Sequence, residues 1–251
     1  MTQLVFIGID DTDILGGPFG TGRVARELAQ CLEDSGLGRT VGVIRHQLLV
    51  DPRIHYTSHN SSKCVEFEVK ASLSDLHKAG IKYIKEHFQE GSDPGLCTCA
   101  ASQANKELAE YGRSAQKEVL VKSQAINLAK KSGILLSELG GTGEGIIGAL
   151  ASVGLRAGGN DGRYVQLRGI RDIKGQISVG DLLKNTAIIS VVDENGNSVD
   201  NKEIIDSHDW IKPSVVNGKP VLRIRAASSG TPTKIWETIE QKHKKAEKKG
   251  G

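Results

Sequence analysis

The sequence predicts an α/β (α+β) fold, a mixed sheet with flanking helices followed by a small, mainly β C-terminal module. Three observations predict it. Leu4, Val5, Phe6, Ile7 and Ile9 form an apolar run, fit for a strand buried on both faces, that ends abruptly in Asp10, Asp11 and Asp13. Strand-like runs and helical periods then alternate as far as residue 173. From residue 174 short apolar runs are separated by turn pairs, the pattern of β-hairpins. Modules at 1–173 and 174–251 follow, and 251 residues suffice for a core in each.

Taken in order, the first strand leads through Gly16-Gly17-Pro18-Phe19-Gly20-Thr21-Gly22 into a helix whose Val24, Ala25, Leu28, Ala29 and Leu32 repeat at helical spacing. Thr40 to Val50 and Cys64 to Val69 read as strands, joined by a polar connection rich in His, Asn and Ser. A connection that long is mobile or functional. Leu73 to Phe88 reads as a helix, and further helices are expected near Ala100 to Tyr111 and Lys122 to Lys131. A short apolar segment then runs to Leu139. Gly140 to Gly145 opens the helix that starts at Ile146, and Arg163 to Ile170 should be a strand returning to the sheet. In the second module Ala187 to Val192, Trp210 to Val216 and Val221 to Ala226 are strands around turns at Asp193–Gly196 and Asn217-Gly218. A last helix containing Trp236 and Ile239 is expected to run out into lysines.

Composition narrows the class. No apolar stretch is long enough to span a bilayer and no signal-type core opens the chain, so a cytoplasmic protein without a membrane partner is expected. The net charge of +3 lies wholly in the segment from Lys234, with six lysines and three glutamates. Total charge therefore gives no support to RNA as a partner, although a local basic face is compatible with it. Four cysteines are too few for a disulfide framework. Cys97 and Cys99 lack zinc-knuckle spacing, so buried reduced thiols are expected. Oligomeric state is not legible.

Three carboxylates within four positions at a strand's end are the main candidate for chemistry. Two carboxylates 4 to 6 Å apart repel by about 3 to 4 kcal/mol at an effective dielectric near 20, and a divalent cation would relieve that repulsion. Oxygen-only ligands favour Mg2+ or Mn2+ over zinc. The alternative is ordinary turn-forming Asp and Thr. In an extended chain Asp11 and Asp13 share one face and Asp10 the other, so a bend is needed to bring all three to one ion. Gly141, Thr142, Gly143, Glu144 and Gly145 open a helix whose N–H groups suit a phosphate, or else they permit close backbone packing. The segment has neither a Walker lysine nor dinucleotide-fold spacing. Thr21 is a phosphoryl acceptor, a nucleotide contact or a helix N-cap. His46, His55 and His59 lack ligand spacing and read as solvated. Arg168 and Arg171 flank a strand end, where they are solvated or pair with anions.

Together these motifs resemble the N-terminal kinase-like domain of the archaeal 2-agmatinylcytidine synthetase that modifies an isoleucine tRNA. Ile7-Gly8-Ile9-Asp10-Asp11-Thr12-Asp13 and Gly143 to Gly154 carry the resemblance. Asp93-Pro94-Gly95 and the strand ending at Arg171 are weaker echoes, for a coverage of about residues 3 to 173. The resemblance implies an ATP-using enzyme in which Asp10, Asp11 and Asp13 hold Mg2+ and a phosphoryl group activates an oxygen of the acceptor. Thr21 corresponds to the family's phosphate-accepting threonine. It stands here in Gly-Thr-Gly, where the family has Cys-Thr. Asn60, within Ser58-His59-Asn60, and Arg171 are implied at the substrate. The segment after residue 173 carries no cysteine-rich ribbon of the kind the synthetase uses for tRNA. The expectation is a Mg2+-dependent, ATP-using phosphotransferase-like enzyme with an unidentified acceptor. Its alternatives are a nucleotide- or metal-binding regulatory protein without turnover, and an RNA-binding accessory protein using the lysine-rich tail.

Overall fold

A computed structural model describes residues 2–57, 59–208, 210–227 and 235–239. By internal packing the chain divides into two compact units, whose described parts lie in 2–158 and 159–239. The first is built from β1 (Gln3–Asp10), α1 (Thr21–Asp34), β2 (Gly38–Gln47), β3 (Ser61–Val69), α2 (Leu73–His87) and β4 (Gly95–Ala100), in that order. Then come a 3-10 turn (Ala101–Gln103), α3 (Lys106–Ser114), α4 (Lys122–Ser132), β5 (Leu135–Glu138) and α5 (Gly145–Gly158).

Its strands pair antiparallel in the order β5-β4-β1-β3-β2. The β1-α1-β2-β3-α2-β4 succession with β1 and β3 central is the split β-α-β arrangement, extended by one edge strand. Alternation sends Val5, Ile7 and Ile9 to one face of β1 and Phe6, Gly8 and Asp10 to the other. All six lie between helical layers, which is why the strand reads as an unbroken apolar run. The layer of α1 and α2 covers one face; α5, flanked by α3 and α4, covers the other. Here Phe6, Cys64, Cys97 and Cys99 pack against Ile146, Ala149, Leu150 and Val153. The helix lies so close to β1 that a Cβ on Gly8 would stand 2.0 Å from the Ala149 carbonyl oxygen.

The second unit holds β6 (Arg163–Leu167), β7 (Gln176–Ser178), α6 (Val179–Asn185), β8 (Ser190–Val192), β9 (Ile204–Asp206), β10 (Ser214–Val216), β11 (Lys219–Ala226) and β12 (Ile235–Thr238). The Asn217-Gly218 hairpin forms as expected, both residues at positive φ, joining β10 to β11. Parallel pairs β8–β11 and β9–β12 make this sheet mixed.

Beside β7, α6 and β9, which the sequence did not suggest, three elements differ from expectation. Gly95–Ala100 is a strand, and the helix expected from Ala100 begins at Lys106, where the Asn105 side chain accepts from Leu108 N. The expected helix around Trp236 is strand β12: between β11 and β9 the alternation of Ile235, Trp236 and Glu237 buries the indole, whose Nε1 donates to Glu203 Oε2 at 2.6 Å. The lysine-rich tail and Ser58 lie outside the described residues.

Candidate functional site

Asp10 ends β1 on the face covered by α5. The helix offers it Gly148, at which a Cβ would stand 1.7 Å from Asp10 Oδ2, so the carboxylate occupies the space of a missing side chain. The next residue, Asp11, has φ 50°, left-handed for a non-glycine. That bend breaks the strand's alternation, and Asp10, Asp11 and Asp13 all line one cleft of about 580 Å³. The bend required by the sequence is thus a single residue. Asp13 accepts from Thr21 N at 3.0 Å, from the Thr21 hydroxyl and from the Thr57 hydroxyl at 3.1 Å. Thr21 is not the N-cap: Gly20 holds that position, and Asp13 takes the N–H of the first helical residue instead. The Thr21 hydroxyl, nearly buried, also accepts from Thr12 N and the Thr12 hydroxyl, both at 3.2 Å, and lines the cleft.

The electrostatic strain foreseen in the sequence is present. Burial, then the charge of Asp11, pushes the Asp10 carboxyl up to about 7. Burial, then Asp93 and Asp13, pushes Asp11 up to about 6. Among the described residues no three His, Cys, Asp or Glu side chains are drawn together tightly enough to cage an ion. Asp13 is turned to its threonine partners. The oxygen-only donors nevertheless fit Mg2+, which ordinarily takes one or two carboxylates and completes its shell with water and phosphate oxygens.

Across the cleft, Gly141, Thr142, Glu144 and Gly145 also line the wall. Asp93, just before β4, accepts from Gly143 N at 2.6 Å, from Glu144 N at 3.3 Å and from the Thr142 hydroxyl. Gly141, at φ 56°, wraps this carboxylate so closely that a Cβ would lie 2.9 Å from Asp93 Oδ1. Lys122 holds the loop from outside through Thr142 O and Glu138. The sequence singles out Asp93-Pro94-Gly95 only as a weak echo of the family and assigns Asp93 no role. Its signal was an Asp-Pro-Gly turn, and its partners lie about fifty residues away.

Asn60 lines the cleft and donates to Leu49 O at 2.6 Å, closing the long polar connection onto the chain just beyond β2. His55 and His59 line it too, whereas His46 is buried on β2. Among the described residues six carboxylates, of Asp10, Asp11, Asp13, Asp93, Glu118 and Glu144, line the cleft with the guanidinium of Arg53, which is bound to Asp51, and the charge of Lys63 acts on Asp10. Leu15, Ile14 and Val121, exposed at 78%, 39% and 55%, give the mouth an apolar rim. Arg171 belongs to the second unit, where it donates to Val165 O and lies over the Trp210 ring at 4.9 Å. Arg168 donates to Thr186 O. Cys64, Cys97 and Cys99 are buried free thiols held protonated by desolvation. No described helix is long and apolar enough to cross a membrane.

No protein-family profile matches the chain, and a comparison with curated protein sequences gives no match. Solved structures of TiaS, the agmatidine synthetase of an isoleucine tRNA, are similar to it. The apo structure matches at 26% identity and a TM-score of 0.51 over 60% of this chain and 35% of that one. The complex of TiaS with that tRNA and ATP matches at 29% and 0.53 over 61% and 36%. The complex with the same tRNA, AMPCPP and agmatine matches at 27% and 0.52 over 60% and 36%. The chain thus spans little more than a third of the length of the structures it matches. Within that span it resembles TiaS in three dimensions as well as in its motifs.

Proposed function

We propose that the first unit binds ATP with Mg2+ in this cleft and transfers its γ-phosphoryl group to an oxygen. The observation that carries the reading is the convergence of Asp10, Asp11 and Asp13 on one cleft in which Asp13 accepts the Thr21 hydroxyl proton. A carboxylate so placed orients the hydroxyl and can take its proton if the threonine oxygen attacks the γ-phosphorus while its bond to the bridging oxygen breaks and ADP leaves, the nucleophile-and-base arrangement of covalent catalysis. Asp10 and Asp11 would hold Mg2+, which when bound neutralises charge on the phosphates. The volume suits a nucleotide. The apolar rim of Ile14, Leu15 and Val121 gives the acceptor an uncharged surface to lie on. ATP and tRNA in the TiaS complexes support the nucleotide and leave RNA as one acceptor class.

Incubation with γ-labelled ATP and Mg2+ tests this. Hydrolysis, or label on Thr21, should fall by at least about a hundredfold in Asp11→Asn. Turnover that survives the substitution undiminished would sink the assignment.

The second reading, a nucleotide-binding regulator, is favoured by a specific observation: the loop's donors are already bonded to Asp93. Tight binding of ATP without turnover would select it.

A further inference from the structure

The donors best placed for a phosphate are taken by an anion of the protein's own. Gly143 N, Glu144 N and the Thr142 hydroxyl all donate to the Asp93 carboxylate. The left-handed Gly141 closes around it with no room for a side chain. Asp93 therefore sits where an incoming phosphate oxygen would have to sit to use the same groups.

We propose that Asp93 is a specificity-determining residue: an internal anion that fills the glycine-rich loop and gives it up only to a phosphate arriving with a divalent cation. The inference rests on the nucleotide reading above. A bare anion that displaced Asp93 would leave its carboxylate beside Asp11, in a cleft that six carboxylates line among the described residues; there Arg53 is bound to Asp51 and the Lys63 charge acts on Asp10. Each of those carboxylates also repels the newcomer. A phosphate that brings a divalent cation supplies countercharge to Asp11 and the released Asp93 together. The loop thus discriminates between metal-bound polyphosphates and free anions such as inorganic phosphate, although both present the same oxygens. Lys122 keeps the loop in shape from outside while the exchange takes place.

The test uses the full chain and tripolyphosphate as the probe, titrated with Mg2+ or with EDTA. Loop amides are followed by NMR. The wild type should bind tightly only with Mg2+. In Asp93→Asn, which keeps an acceptor oxygen and loses the charge, affinity in EDTA should rise about tenfold or more. The Gly143 and Glu144 amide resonances should then move with tripolyphosphate alone. Lys122→Met loosens the loop without touching Asp93 and should keep the wild-type dependence on Mg2+. A folded Asp93→Asn protein that binds metal-free tripolyphosphate no better than wild type overturns the proposal. So does a Lys122→Met protein that relaxes the metal requirement equally, because loop looseness would then explain the effect. If the gate operates on tripolyphosphate but ATP never binds, the nucleotide reading fails and the gate stands. If ATP is turned over and Asp93→Asn keeps the wild-type metal dependence, the gate fails alone.

Discussion

Gly148 sits inside α5, where alanine would ordinarily stabilise a helix by up to about 1 kcal/mol. Here a Cβ would lie 1.7 Å from Asp10 Oδ2, 2.6 Å from its Cγ and 3.1 Å from its Cβ. Rotating a side chain that short cannot clear all three atoms. Gly148→Ala should therefore destabilise the protein by about 1 to 3 kcal/mol in urea titration, and weaken Mg2+ binding as Asp10 is driven from the cleft floor. A gain in stability with Mg2+ binding intact would show that the carboxylate is free to leave. The same residue marks what could be read in advance. Three aspartates crowded at a strand end are a local signal, and they were legible. A glycine shaped by Asp10, and an Asp93 whose partners are about fifty positions away, acquire meaning only through tertiary contact. Neither Gly148 nor Asp93 carries that meaning in its own neighbourhood. Arg171, read near a strand end as solvated or paired with an anion, donates to a carbonyl and lies over an indole in the fold.

At the scale of elements, α5 is what turns a sheet into a site. Its N-terminal end faces Asp93, its second turn accommodates Asp10, and its C-terminal half is fastened to β3 by Arg156, which donates from Nε to Glu66 Oε1 at 2.6 Å and lies over the Phe6 ring at 5.1 Å. Both side chains are under a tenth exposed. Arg156→Met leaves Glu66 charged and buried and should cost about 3 to 5 kcal/mol in chemical denaturation. The double replacement with Glu66→Leu should recover most of that loss. Equal instability in the single and double variants would mean that packing, not the uncompensated charge, dominates. The helix was legible from its apolar, glycine-interrupted run, while β4 was not. Gly-Leu-Cys-Thr-Cys-Ala is buried throughout, so it shows no alternation, and the small residues after it blend into a helical pattern that starts only at Lys106.

For the molecule as a whole, the carboxyls and a histidine act on stability with opposite signs. Asp10 and Asp11 bind protons more tightly folded, at about 7 and about 6, than at their ordinary 3.8. Their contribution is complete below 3.8 and is lost as the pH rises through 6 to 7. His77 ties α2 to β4 and β5 through the hydroxyls of Thr98 and Ser137, at 2.8 and 2.9 Å, and burial lowers it from 6.5 to about 4. Its contribution is present above 6.5 and disappears as the pH falls toward 4. Two carboxyls act against one imidazole, so the metal-free protein should lose stability as the pH rises from about 5 to 8. Mg2+ should restore stability at the alkaline end, where the carboxylates are free to take it, and do little at the acid end, where protons hold them. Denaturation curves at each pH, in EDTA and in Mg2+, measure both effects. Asp10→Asn should flatten the alkaline decline and remove most of the Mg2+ response. A Mg2+ stabilisation equal at pH 5 and 8, or unchanged in Asp10→Asn, would place the ion elsewhere than between these aspartates.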